Sequence, residues 1–125
     1  MTAKLINLND IPKGGPYSHA VIAKDFVFVS GQTGQITGKT LTFEEQFENA
    51  ISKISKILDE SGSSLDNVVK VSVYLSSKDY FPAMNKLFGK HFPNNAPART
   101  TIVSNFVSDE ILVEIDVIAE VQKEK

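Results

Sequence analysis

Apolar residues at Phe43, Phe47, Ile51, Ile54, Ile57 and Leu58 recur at steps of three and four, which predicts a helix with one buried stripe. Thr42 and Glu45 form a capping-box pair at its start, and Gly62 stands where a C-terminal cap belongs. A second, shorter helix is predicted from about Asp79 to about His91. Asp79 would be its N-cap, Pro82 falls in the tolerated first turn, and Phe81, Met84, Leu87 and Phe88 supply the apolar side. Elsewhere the period drops to two. Val69, Val71, Val73 and Leu75 alternate with Lys70, Ser72 and Tyr74, and a longer alternating strand runs over 111–121. The segment 26–29 is apolar on both sides, and shorter strands are expected at 4–8, 17–23 and 100–104. The order β-β-β-α-β-α-β-β describes an α+β fold with one sheet and two helices on one face.

Those helices leave a face over. Each is about 10 Å across against a strand spacing of about 4.8 Å, so two helices cover about four strands on one side. Yet 26–29 is apolar on both faces, and Leu112 and Ile118 interrupt the polar side of the last strand. A homo-oligomer is the economical cover.

With 125 residues the chain fits one domain, 1–125, and its 42% hydrophobic content is that of an ordinary globule. The absence of cysteine excludes disulfide scaffolds, thiol nucleophiles and Cys-based metal sites. A net charge of −2 argues against a nucleic-acid partner. No export signal opens the chain and no apolar run approaches a membrane span, so no membrane association and a cytoplasmic location are expected.

Candidate chemistry narrows quickly. The loop from Gly31 to Thr40 ends in Gly-Lys-Thr, but Gly34 and Gly38 enclose three residues where a phosphate loop needs four; it reads as a turn-rich connection. The two histidines, His19 and His91, lie on different elements without metal-ligand spacing, so no metal is expected. His91 suits a helix C-terminus, and His19, in a strand beside Ser18, would point away from it. Glu114 and Asp116 are different. Two apart on one strand they share a face, and Leu112 and Ile118 bracket them, so at least one carboxylate is shielded and needs a partner. Arg99 is the best candidate partner, placed at a strand start by Pro97. Its planar guanidinium suits bidentate capture of a carboxylate, either a ligand's or an internal one.

Gly15-Pro16-Tyr17-Ser18, Val29-Ser30-Gly31-Gln32, the run from Gly62 to Lys70, Met84-Asn85, Pro97-Ala98-Arg99 and Val113-Glu114-Ile115 together resemble the RidA/YjgF family of reactive-intermediate (enamine/imine) deaminases. The likeness runs from residue 3 to residue 121. It implies a chorismate-mutase-like fold and a homotrimer with ligand clefts between subunits. It also implies hydrolysis of 2-imino acids such as 2-iminobutanoate and 2-iminopropanoate, intermediates that leak from PLP-dependent dehydratases, without a cofactor. By the same resemblance Arg99 grips the substrate carboxylate and Glu114 positions water. Tyr17, also placed in the catalytic set, lines the cleft with Ser30 and Gly31, and Asn85 stands close by. His19, Lys53, Asn105-Phe106-Val107 and Asp116 depart from the family pattern. The alternatives within this fold are a small-carboxylate binder or holdase-type chaperone, and a translation inhibitor with ribonuclease activity. A chaperone surface would need neither Arg99 nor Glu114.

Overall fold

A computed structural model describes residues 2–122. Its elements run β1 (Lys4–Ile6), β2 (Ala20–Ala23), β3 (Phe26–Thr33), α1 (Phe43–Glu60), β4 (Val68–Leu75), α2 (Phe81–His91), β5 (Ala98–Val103) and β6 (Val113–Glu120). Among the described residues no helix is long and apolar enough to cross a membrane. The six strands form one mixed sheet in the order β1-β2-β3-β6-β4-β5. Every neighbouring pair is antiparallel except β4 and β5. That parallel pair needs a crossover, which α2 provides.

α1 begins and ends as its residues dictate. The Thr42 side chain accepts from the Glu45 amide while the Glu45 carboxylate accepts from the Thr42 amide, and Gly62 carries the chain out at φ +74°. Phe47, Ile54, Ile57 and Leu58 are fully buried against β3 and β6, each side chain worth about 1.5–3 kcal/mol of transfer free energy. The second helix starts later than its sequence suggests. Ser77 caps a single 3₁₀ turn at Lys78–Tyr80 by accepting from the Asp79 amide, so Asp79 lies inside that turn and is not the N-cap. His91 ends α2, but its ring is turned to Glu48 of α1 at 2.9 Å.

Two strands also depart from their sequence patterns. A register shift between Val68 and Lys70 turns Val68 inward and leaves Val69 outside, because a bulge breaks the period-two parity. The expected strand at 17–23 shortens to β2. Tyr17 folds back in a turn after Gly15-Pro16, its amide donating to the Gly15 carbonyl at 3.0 Å. His19 therefore lies in no strand: it is buried, with Nδ1 accepting from the Leu8 amide at 3.0 Å.

Both helices cover one face, where Val27, Val29, Val71, Val73, Ile115 and Val117 are buried. The opposite face is open. Register aligns Leu5, Val21, Phe28 and Ile118 in one row across it, with Leu5 62% and Phe28 44% exposed, and Ile102 farther along is 48% exposed. The stripe Gln46, Asn49, Lys53 on α1 fastens the end of β3. Gln46 Nε2 donates to Gln35 Oε1, Asn49 Nδ2 to the Gly34 carbonyl, and Lys53 Nζ to the Thr33 carbonyl, all at 2.9–3.0 Å. Gln46 Oε1 also accepts from the Leu112 amide at 2.9 Å, which fixes the entry into β6. A side chain at Gly34 would overlap the Gln46 backbone, so this close approach requires glycine.

Candidate active site

β2 pairs only with residues 26–29 of β3, so the last part of β3 has one free edge. At that edge the loops before β2 and before β6 enclose a cavity of about 630 Å³ lined by Tyr17, Ser30, Gly31, Thr33, Lys53 and Glu114, among others. Tyr17 is 43% exposed, with its hydroxyl held by the Gly14 amide at 3.0 Å. The Ser30 hydroxyl donates to the Ser18 carbonyl at 2.7 Å, and the Ser30 amide donates to the His19 carbonyl at 2.9 Å. Ser30 is thus tied to the end of the Tyr17 loop through Ser18 and to buried His19 through the backbone.

Glu114 stands on the open face of β6, opposite Thr33 of β3 and Tyr74 of β4. Burial, and secondarily the charge of Asp116, push its carboxyl above the ordinary carboxylate range. Asp116 accepts a hydrogen bond from the Tyr74 hydroxyl at 3.0 Å, and that contact raises the tyrosine. The Glu114 carboxylate lies where a Cβ of residue 31 would be, so Gly31 makes room for it across the bulge in β3. Gly31→Ala is expected to fold, because the overlap is with the movable end of a side chain. It should return Glu114 toward its usual titration range by pushing it into solvent. Carboxyl NMR titration checks this, and an unaltered Glu114 curve would contradict the contact.

Arg99 is elsewhere. Its Cα pairs with Val71, whose side chain is buried beneath the helices, so Arg99 stands on the helix side of β5 and Glu114 on the opposite side of the sheet. The expected Arg99–Glu114 neighbourhood within one chain is therefore wrong: register sets the two strands in opposite parity. Nor does Arg99 form an internal salt bridge among the described residues. Its guanidinium carbon instead lies 4.8 Å from the Phe88 ring centroid and 5.9 Å from that of Phe81. Cation–π contact holds the half-buried plane, and its N–H donors have no hydrogen-bond partner among the described residues. Asn85, exposed on α2, is one turn from both rings, on the same helix face.

The expected residues thus form two groups. Tyr17, Ser30, Gly31 and Glu114 surround the cavity, while Arg99 and Asn85 sit on the far side of the sheet. Lys53 and Thr33 join the first group without having been singled out for it. The signal for Lys53 was a lysine on the otherwise inward-facing side of α1. Among the described residues no cluster of three metal-ligating side chains occurs.

A family model described as Endoribonuclease L-PSP matches residues 8–121. A RutC family protein of Pyrococcus abyssi is 36% identical over 126 residues, covering 95% of this chain and 98% of that one. The chloroplastic Reactive Intermediate Deaminase A of Arabidopsis thaliana is 36% identical over 84% of this chain and 58% of its own length. The crystal structure of RidA from the Antarctic bacterium Psychrobacter sp. PAMC 21119 superposes with a TM-score of 0.84 at 28% identity, covering 94% of this chain and 98% of that one.

Proposed function

The chain belongs to the Endoribonuclease L-PSP family, the RidA/YjgF proteins, which include reactive intermediate deaminases, and from that premise we propose that it hydrolyses 2-imino acids and their enamine tautomers to 2-oxo acids and ammonia. Short imines such as 2-iminobutanoate and 2-iminopropanoate, shed by PLP-dependent dehydratases, are the reference substrates. Arg99 takes the substrate carboxylate through its free fork. Glu114 accepts a proton as water adds to C2 of the protonated imine. The same carboxyl then returns that proton to the amino nitrogen of the carbinolamine. As the C2–N bond breaks and ammonia leaves, the C2 hydroxyl gives its proton to Glu114, which passes it on to ammonia or solvent, and the hydroxyl oxygen becomes the carbonyl of the 2-oxo acid. Burial shifts this carboxyl upward, the direction that favours a group which must both take and return a proton.

One observation carries the reading: Arg99 and Glu114, both required, stand on opposite faces of one sheet. They can serve one substrate only if two copies meet, the helix side of one β5 against the cavity of the next chain. The uncovered row Leu5, Val21, Phe28 and Ile118 supplies apolar surface for such an assembly, a cyclic homotrimer. The test mixes two disabled variants. Arg99→Ala and Glu114→Gln, each strongly impaired alone, are expected to recover about a quarter of the wild-type rate after unfolding and reassembly together, well above the residual rate of either, because about a quarter of the interfaces in a randomly mixed cyclic trimer unite both intact residues. No recovery, or light scattering from a monomer at micromolar concentration, would remove the shared site.

A further inference from the structure

Lys53 is a charge without an assigned task. It lines the same cavity as Glu114, half-buried, and its only hydrogen bond among the described residues is from Nζ to the Thr33 carbonyl at 2.9 Å. An ammonium has three donors, so two remain for the cavity. No carboxylate pairs with it among the described residues. Its pKa is depressed by burial alone, and Glu114 is raised where an adjacent cation would have lowered it. The lysine charge is therefore not spent on Glu114. Lys13, the other lysine on the cavity wall, is exposed and donates to Asn7 Oδ1 at 2.9 Å.

A half-buried cation that has lost part of its hydration favours an anion within reach. In the reading above the α-carboxylate already belongs to the Arg99 fork, which matches its planar geometry better than a point charge does. The anion left for Lys53 is a second one on the same substrate. Space permits it: the cavity of one chain measures about 630 Å³ before a neighbour's β5 closes on it, far more than a three- or four-carbon monoacid fills.

We propose that Lys53 sets the specificity of this cleft, and that the preferred substrates, given the deaminase reading on which this rests, are 2-imino acids whose short side chain ends in a second carboxylate. The reaction is unaltered. The distal carboxylate docks on Lys53 and turns C2 toward the water held by Glu114.

The test compares two four-carbon imines generated in situ by amino-acid oxidases, 2-iminosuccinate and 2-iminobutanoate, on the whole protein. The ratio of their kcat/KM values is expected to favour the dicarboxylic imine by about tenfold or more, as one charge-assisted contact would give. In Lys53→Gln, which keeps a donor for the Thr33 carbonyl, the ratio should fall to near one, and Lys53→Arg should keep most of it. A wild-type ratio near one overturns the proposal whatever the variants do. So does a parallel fall of both rates in Lys53→Gln, which would assign Lys53 to the α-carboxylate or to cleft shape. If the wild type hydrolyses neither imine, the deaminase reading fails by itself, and binding decides the role of Lys53. Succinate titrated against butyrate by NMR should bind about tenfold tighter to the wild type and lose that margin in Lys53→Gln. Equal affinity in the wild type would refute the assignment.

Discussion

Glu114→Gln is expected to lower kcat for imine hydrolysis by about 10²–10⁴-fold, the range for removing a positioned general base. Affinity for a product-like acid such as 2-oxobutanoate should hardly change, since glutamine keeps the size of the side chain and Arg99 keeps the carboxylate. The fold should not suffer. Burial first, and Asp116 second, raise the Glu114 pKa in the folded state. Above that raised value the ionised carboxylate costs stability, because the unfolded chain releases the same proton more easily. The cost fades as pH falls from the folded value toward the ordinary one. Glutamine never carries that cost. The variant should thus melt at or above the wild-type temperature at neutral pH, with the difference vanishing in acid. Asp116→Asn removes the secondary cause, so it should lower the acid limb of the pH profile while sparing most of kcat. Equal losses from both substitutions would mean that this face acts by general electrostatics. Full activity in Glu114→Gln would end the role in water activation.

Arg99→Ala and Arg99→Lys should each lower kcat/KM by about tenfold or more, because charge alone does not replace a bidentate fork. The loss should fall mainly on KM if Arg99 grips ground state and transition state alike. Stability gives the sharper reading. Arg99 has no internal carboxylate partner among the described residues, so alanine forfeits little beyond the contacts with Phe88 and Phe81, of order 0.5–2 kcal/mol. Thermal melts of Arg99→Ala close to the wild type are expected. Unfolding would mean that the arginine's task is structural.

The alternation of apolar and polar positions made most elements legible, because helix and strand periods are local properties. What it could not carry was parity between strands. Glu114 and Asp116 share a face by being two apart, and that holds. Whether Arg99 shares it too depends on the β4–β5 and β4–β6 registers, which no local pattern states. The bulge at Val68–Lys70 hid Val68 from the alternation for a related reason: one extra residue reverses the sense of everything before it. Gly31 could be marked only by resemblance, since its need for a missing Cβ arises from a carboxylate 83 positions later in the chain. Lys53 was visible as a departure from pattern, but its meaning came with the cavity.

β6 follows every other strand in the chain and yet lies in the middle of the sheet, between β3 and β4. Until it arrives, β1–β2–β3 and β4–β5 are two unconnected ladders. During synthesis the first five strands and both helices leave the ribosome before the piece that joins them, and α1 waits with half of the surface it is to cover still missing. The strand that closes the sheet also brings Glu114. A chain interrupted before 113 therefore lacks its architecture and its water-activating group together, so that no stalled or clipped product can hold a formed cleft with half its chemistry.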